Sequence, residues 1–282
     1  MKKFLSTFLT LLTCHAVQAL PVGNPSEASL LYDGLFLEGY CPDPCDPCLK
    51  WYEAISFRFG FYGDYVFNKH MEVSSGLKPD IECTEMFTNA GYLAGNLWDR
   101  FDLFITLGAS SFFISTNTSS FSIDIDPPGG RLHLATDSSF SWSVGLRGTI
   151  FEFGCTSLGA EAQYFRTSPC VKRVTENASQ SAYLNDTFMR YHEWQVGLGI
   201  SHRINLLVPY VAVKWSGSRV NFDDDFVTGP NFTPFNLENL RSKNIWGFAT
   251  GVSLVDCEKA SITVEGRWGN EKAVYVNGQI RF

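Results

Sequence analysis

The last ten residues, Ala273 to Phe282, read AVYVNGQIRF. In an extended chain successive side chains point to opposite faces. Val274, Val276, Gly278, Ile280 and Phe282 therefore share one face, and Tyr275, Asn277, Gln279 and Arg281 the other. A strand with one apolar and one polar face that ends the chain on an aromatic residue suits the closing strand of a transmembrane barrel, with lipid outside and a polar lumen inside. Phe282 is then the barrel-closing residue. A half-buried strand of a soluble sheet alternates in the same way, so the rest of the chain has to decide.

Further up the chain, Ile55, Phe57, Phe59, Phe61, Tyr65 and Phe67 fall on one face, and Ser56, Arg58, Tyr62, Asp64 and Asn68 on the other. That run is long enough to cross a bilayer as a tilted strand. The outward sets Phe101/Leu103/Ile105/Leu107, Phe140/Trp142/Val144/Leu146/Ile150 and Trp194/Val196/Leu198/Ile200 repeat the pattern. So do Val211/Val213/Trp215, Trp246/Phe248/Val252/Leu254 and Ile262/Val264/Trp268. Met86 to Leu97 and Thr156 to Thr167 alternate less regularly, and with the final stretch they bring the count to ten. Phe121, Ile123 and Ile125, a Pro127-Pro128-Gly129-Gly130 turn, and Leu132 and Leu134 predict one added hairpin. The expected fold is all-β, a transmembrane antiparallel β-barrel with an even strand number, twelve visible and up to 16.

The connections support this. Short turns are expected near Trp98-Asp99, Gly154-Cys155, Ile204-Asn205 and Cys257-Glu258, alternating with long loops over 69–85, 116–138, 168–189 and 217–243. Outer-membrane barrels have this asymmetry, with short turns in the periplasm and long loops outside. The connection at Gly269-Asn270-Glu271 is short where the scheme puts an outer loop. Charge agrees, because Arg or Lys facing lipid at mid-bilayer costs about 2–4 kcal/mol, and the apolar faces carry none. The opposite faces supply twelve candidate pore-lining residues: Arg58, Asp64, Arg100, Asp102, Arg147, Glu161, Glu193, Arg203, Lys214, Glu265, Arg267 and Arg281. Seven are basic and five acidic, a mildly basic lumen that would concentrate small anionic solutes.

At the N-terminus, Lys2 and Lys3 precede an apolar core from Phe4 to Leu12 and the small residues Val17 and Ala19. This is a secretory signal peptide over residues 1–19, with a mature chain from Leu20. Residues 20–51 are rich in Pro, Asp and Cys, and their PDPCDPC run has no place in a central strand. They are expected to form an N-terminal periplasmic segment ahead of a barrel over 52–282. The formal net charge of −7 gives no footprint for nucleic acid. Past the signal no apolar run approaches the ~18 residues of a membrane helix, so a spanning structure must be a closed barrel. Cys41, Cys45, Cys48, Cys83, Cys155, Cys170 and Cys257 remain after processing, an odd set in an exported chain. They read as disulfide candidates, with at least one thiol either free or bonded to another molecule. Zinc at Cys41, Cys45 and Cys48 lacks a fourth ligand, and no cofactor or metal is expected.

Several stretches resemble the chlamydial major outer membrane protein family of surface porins. They are LPVGNPSEASLLYDG at 20–34, DPCDPC at 43–48, AISFRFGFYGDYVF at 54–67 and NLWDRFDLFITLGAS at 96–110. SFSWSVGLRG at 139–148, FEFGCTSLGAEAQY at 151–164, YHEWQVGLGIS at 191–201, LVPYVAVKWS at 207–216, VEGRWG at 264–269 and QIRF at 279–282 continue it. The four long loops depart from the family and are short here. The resemblance implies a homotrimeric general porin of the bacterial outer membrane, weakly favouring anions and disulfide-crosslinked to envelope proteins. VEGRWG also resembles a dicarboxylate-preferring branch, and the sequence leaves the branch open. Two rivals come from other classes. A surface adhesin or structural barrel with a plugged lumen fits the loops and surplus cysteines. An enzyme would have to use His70 and His133, which no motif ties to a catalytic geometry.

Overall fold

A computed structural model describes residues 20–31, 55–75, 81–117, 130–176, 180–183, 187–223, 226–229, 232–269 and 271–282. Among the described residues, one short helix, α1 (Glu27–Leu30), precedes β1 (Ile55–Lys69), β2 (Met71–Val73), β3 (Cys83–Leu97) and β4 (Phe101–Asn117). Then come β5 (Arg131–Thr136), β6 (Ser139–Phe153), β7 (Thr156–Thr167), β8 (Val171–Glu176), β9 (Gln180–Tyr183), β10 (Met189–His202) and β11 (Leu207–Phe222). The chain ends with β12 (Phe226–Gly229), β13 (Phe232–Asn236), β14 (Leu240–Ser242), β15 (Trp246–Asp256), β16 (Ala260–Trp268) and β17 (Glu271–Arg281).

Ten long strands close a ring in the order β1, β3, β4, β6, β7, β10, β11, β15, β16, β17, each antiparallel to its neighbours. β17 returns to β1 with Arg58 opposite Arg281 and Lys69 opposite Glu271. The Phe282 amide adds a last hydrogen bond, 2.9 Å, to the Phe57 carbonyl. Closure leaves no open edge, which is the condition for placing a sheet in lipid. The apolar faces read from the sequence point outward: Phe57, Phe61, Leu103 and Leu146 are each more than half exposed. Trp194 packs edge-on to Trp215 at 5.0 Å and Trp215 stacks on Trp246 at 6.4 Å, an external aromatic cluster of the kind found at bilayer boundaries.

The four expected short turns all form, and they define one rim, here the turn rim. Trp98 and Asp99 (φ 56° and 53°), like Cys257 and Glu258 (φ 45° and 60°), take the pair of left-handed values that lets the central residues of a hairpin turn match strand twist. At the other rim, here the loop rim, the long connections build short strands on top of the ring. The ring closes on ten strands and not twelve. Leu132 and Leu134 lie in β5, which pairs with Phe113–Asn117 of β4 above the stretch that β6 occupies, and its six residues are too few to span a bilayer. The other half of that expected hairpin, Phe121, Ile123 and Ile125, lies outside the described residues. β8 pairs β5 and β9, while β14 bridges β11 and β2. Inside these extensions Met71, Ile81, Ile114, Leu134, Val174 and Leu240 form an apolar cluster above the polar lumen.

Candidate functional site

The lumen is occupied by the chain's own residues 20–31. They belong to the stretch expected in the periplasm; its remainder, 32–51, lies outside the described residues. The Asn24-Pro25-Ser26-Glu27 sequence explains the local shape. The Asn24 side-chain oxygen accepts from the Ser26 amide at 3.0 Å and the Ser26 hydroxyl at 2.8 Å, a turn that launches α1.

From the loop side downwards, the barrel wall takes up the backbone groups of this segment one after another. Lys214 donates to the Leu20 carbonyl and Gln195 to the Pro21 carbonyl at 2.7 Å. The Val22 and Gly23 amides donate to the two oxygens of Glu265 at 3.1 and 2.9 Å. Asn24 donates to the Val208 carbonyl and Ser253, and Ser201 to the Ser26 hydroxyl. Arg58 donates to the Glu27 and Ala28 carbonyls, each at 2.6 Å, and pairs with Asp102 at 3.1 Å. Arg281 caps Leu31 and reaches Asp99 at 2.5 Å. The Glu27 carboxylate takes Arg147, which also holds Glu161 at 2.5 Å, and accepts from Gln279. Buried backbone polar groups must find partners, so these contacts let an irregular strand lie inside the ring.

Ten of the twelve candidate pore-lining residues are buried on the inner face: Arg58, Asp64, Asp102, Arg147, Glu161, Glu193, Lys214, Glu265, Arg267 and Arg281. Arg100 and Arg203 sit instead at the turn rim, paired with Glu152 at 3.4 Å and Glu258 at 2.6 Å and open to solvent. Three inward charges went unread. Lys69 is brought in by an irregularity between Val66 and Asn68 that shifts the pleat by one, so Lys69 is buried where simple alternation put Asn68. Glu271, expected in a turn, is the first residue of β17, and Glu27 comes from the threaded segment. The inner row of β10 carried a signal. It narrows from Tyr191, Glu193 and Gln195 to Gly197, Gly199 and Ser201. A Cβ at Gly197 would lie 2.8 Å from Val22, one at Gly199 2.5 Å from Pro25, and one at Gly159 only 1.9 Å from the Pro25 carbonyl oxygen.

Cys155 and Cys257 are exposed in turn-rim hairpins on either side of the β10–β11 hairpin, whereas Cys83 and Cys170 lie towards the loop rim and are less accessible. The Asp256 carboxylate, hydrogen-bonded to Cys257, pushes that thiol above its usual range. Cys41, Cys45 and Cys48 lie outside the described residues. Among the described residues no cluster of His, Cys, Asp and Glu is placed to hold a metal.

A closed antiparallel ring with a lipid-facing wall, a charged interior and short turns on one rim defines an outer-membrane β-barrel protein. The family model of the Chlamydia major outer membrane protein matches residues 1–80, 75–125, 128–184, 174–234 and 231–282, and the chain belongs to that family. It is 36% identical over 377 aligned residues to a major outer membrane porin of Chlamydia pneumoniae, covering 95% of each chain. It is 33% identical to those of Chlamydia abortus and Chlamydia trachomatis serovar L1, covering all of each chain. The alignments run longer than the chain because the relatives carry inserted residues. Among solved structures, the outer membrane protease OmpT of Escherichia coli aligns with a TM-score of 0.40 at 12% identity, covering 81% of this chain and 95% of that one. The β domain of the Bordetella autotransporter BrkA aligns with a TM-score of 0.38 at 12% identity, covering 80% and 99%. Family membership makes this a multi-pass outer-membrane channel protein, not an enzyme.

Proposed function

We propose that the chain is exported with loss of residues 1–19 and acts as a porin through which small hydrophilic solutes diffuse passively, with residues 20–31 controlling the opening. The observation that carries this reading is the polar inner wall, where buried Arg, Lys, Asp and Glu side chains line a ring whose outer wall is apolar. A ring of about eight strands is filled by side chains, and ten strands leave room for little more than the segment already inside. Passage therefore requires that segment to shift, exposing the charges that now bind it. Weak anion preference is the finer part of the proposal. It draws on the cations Arg58, Arg147, Lys214 and Arg267, which a shift of the segment would uncover, and the nearby carboxylates keep the preference small. A dicarboxylate-preferring pore would use the same cations in pairs.

Homotrimeric assembly in outer-membrane lipid and disulfide links to other envelope proteins complete the proposal, the links supported by the exposed Cys155 and Cys257 on one rim. The occupied lumen also favours a second reading, a structural or adhesive barrel that stays plugged. Planar-bilayer recording of the exported, processed protein separates them. Discrete conductance steps with a reversal potential shifted towards the anion potential support the porin. A folded, heat-modifiable barrel that never conducts, even when Gly159→Ala crowds the segment, supports the plugged barrel.

A further inference from the structure

Buried charge in the lumen does not balance. In the turn-rim half, Arg58, Arg147 and Arg281 face Glu27, Asp102 and Glu161, three against three. In the loop-rim half, Lys69, Lys214 and Arg267 face Asp64, Glu193, Glu265 and Glu271, so one cation is missing among the described residues. Asp99, which also reaches Arg281, is 21% exposed at the turn and is solvated.

The shortfall has a location. Asp64 is held by Arg267, and Glu265 accepts from Val22, Gly23 and Tyr210. Glu193 accepts from Lys69 and Tyr191 on one oxygen, while Oε1 has no donor. Neither oxygen of Glu271 receives a hydrogen bond, although Arg267 Nε approaches Oε1 to 3.0 Å. Both carboxylates are fully buried. A buried carboxylate short of donors is costly, and a cation with several donors would relieve it.

We infer that the missing cation is the α-ammonium group of Leu20, and that Glu271, assisted by Glu193, is its receptor. The inference rests on removal of residues 1–19 under the export reading above. Leu20 is 2% exposed and belongs to the same apolar cluster as Val66, Tyr191 and Ala273. Tyr191 carries its hydroxyl to Glu193, and Ala273 is the next inward residue after Glu271 on β17. The Leu20 carbonyl is held by Lys214, which fixes Leu20 as the top residue of the threaded segment. Before processing, the Leu20 nitrogen is a neutral amide with one donor. After processing, it is an ammonium with three. Cleavage thus creates the ligand that seats the segment, the same recognition by which free amino termini are captured elsewhere.

The test uses the protein exported with its own leader and purified from membranes in detergent. An amine-acetylating reagent is applied to folded and heat-denatured samples, and the N-terminal peptide is quantified by mass spectrometry. The expected result is a peptide beginning at Leu20, acetylated at least about tenfold more slowly in the folded protein because reaction needs the segment to open. Glu271→Gln should remove most of that protection while the heat-modifiable gel shift persists. Gly-Ser inserted between Ala19 and Leu20 should abolish it without touching the wall. A peptide beginning elsewhere overturns the export reading together with this inference. A correct start with an amine acetylated at the denatured rate, or with protection indifferent to Glu271→Gln, overturns this inference alone. Conductance is read separately and judges the porin.

Discussion

Around α1, the turn-rim half of the lumen holds the threaded segment by matched ion pairs and guanidinium-to-carbonyl bonds, with Arg147 between Glu27 and Glu161 and Arg58 between α1 and Asp102. Towards the loop rim, the segment instead enters an apolar cluster of Met71, Ile114, Leu132 and Leu240, and the charges beneath it are unequal. The difference teaches which end is built to let go. Removing one partner from a matched buried network leaves an uncompensated charge, whereas apolar packing is lost gradually with area. Without a cation from Leu20 to complete it, the loop-rim end is accordingly the part of the plug with the smaller barrier to displacement.

The most severe way to break this contrast is Arg147→Ala, which strips Glu27 and Glu161 of their shared cation. A loss of about 3–5 kcal/mol is expected, measured by denaturant unfolding in detergent through tryptophan fluorescence. A loss under about 1 kcal/mol would mean that water already solvates that half. Gly159→Ala comes next, because the new methyl meets the Pro25 carbonyl. Overpacking of about 1–3 kcal/mol should fall on the threaded segment, seen as faster proteolysis of residues 20–31 in an intact barrel. Protection equal to the parent would place the segment elsewhere. Ile114→Val, confined to the loop-rim cluster, should cost about 0.5–1.5 kcal/mol and raise that proteolysis less than Gly159→Ala does. The smallest effect belongs to the outside of the turn rim. Asp256 holds the Cys257 thiol in its protonated form, so Asp256→Asn should lower the thiol pKa and speed alkylation by a few-fold near pH 8. Mass spectrometry of the Cys257 peptide checks it, and an unchanged rate removes Asp256 from the account.

Much of this architecture was legible from the chain. Alternation assigned Phe57, Leu103, Leu146 and Ile262 to the lipid face because a strand's side-chain period of two leaves one consistent choice once one side meets lipid. It also assigned ten inward charges correctly and located all four tight turns. It failed where the period breaks. The irregularity after Val66 turned Lys69 inward, and a glycine before the final strand made Glu271 look like turn. Leu132 and Leu134 alternate as a membrane strand does, yet pair above the ring, because alternation reports a half-buried strand and not what covers its apolar side.

By itself, then, the sequence determined a closed barrel with lipid outside, charge inside and short turns on one rim, since those properties follow from the local repeat of the strands and the cost of charge in lipid. Tertiary structure alone decided that the ring closes on ten strands and that residues 20–31 fill it. Both depend on contacts between residues far apart in the chain, Glu27 with Arg147 and Gln279, Leu20 with Lys214, which no local period encodes.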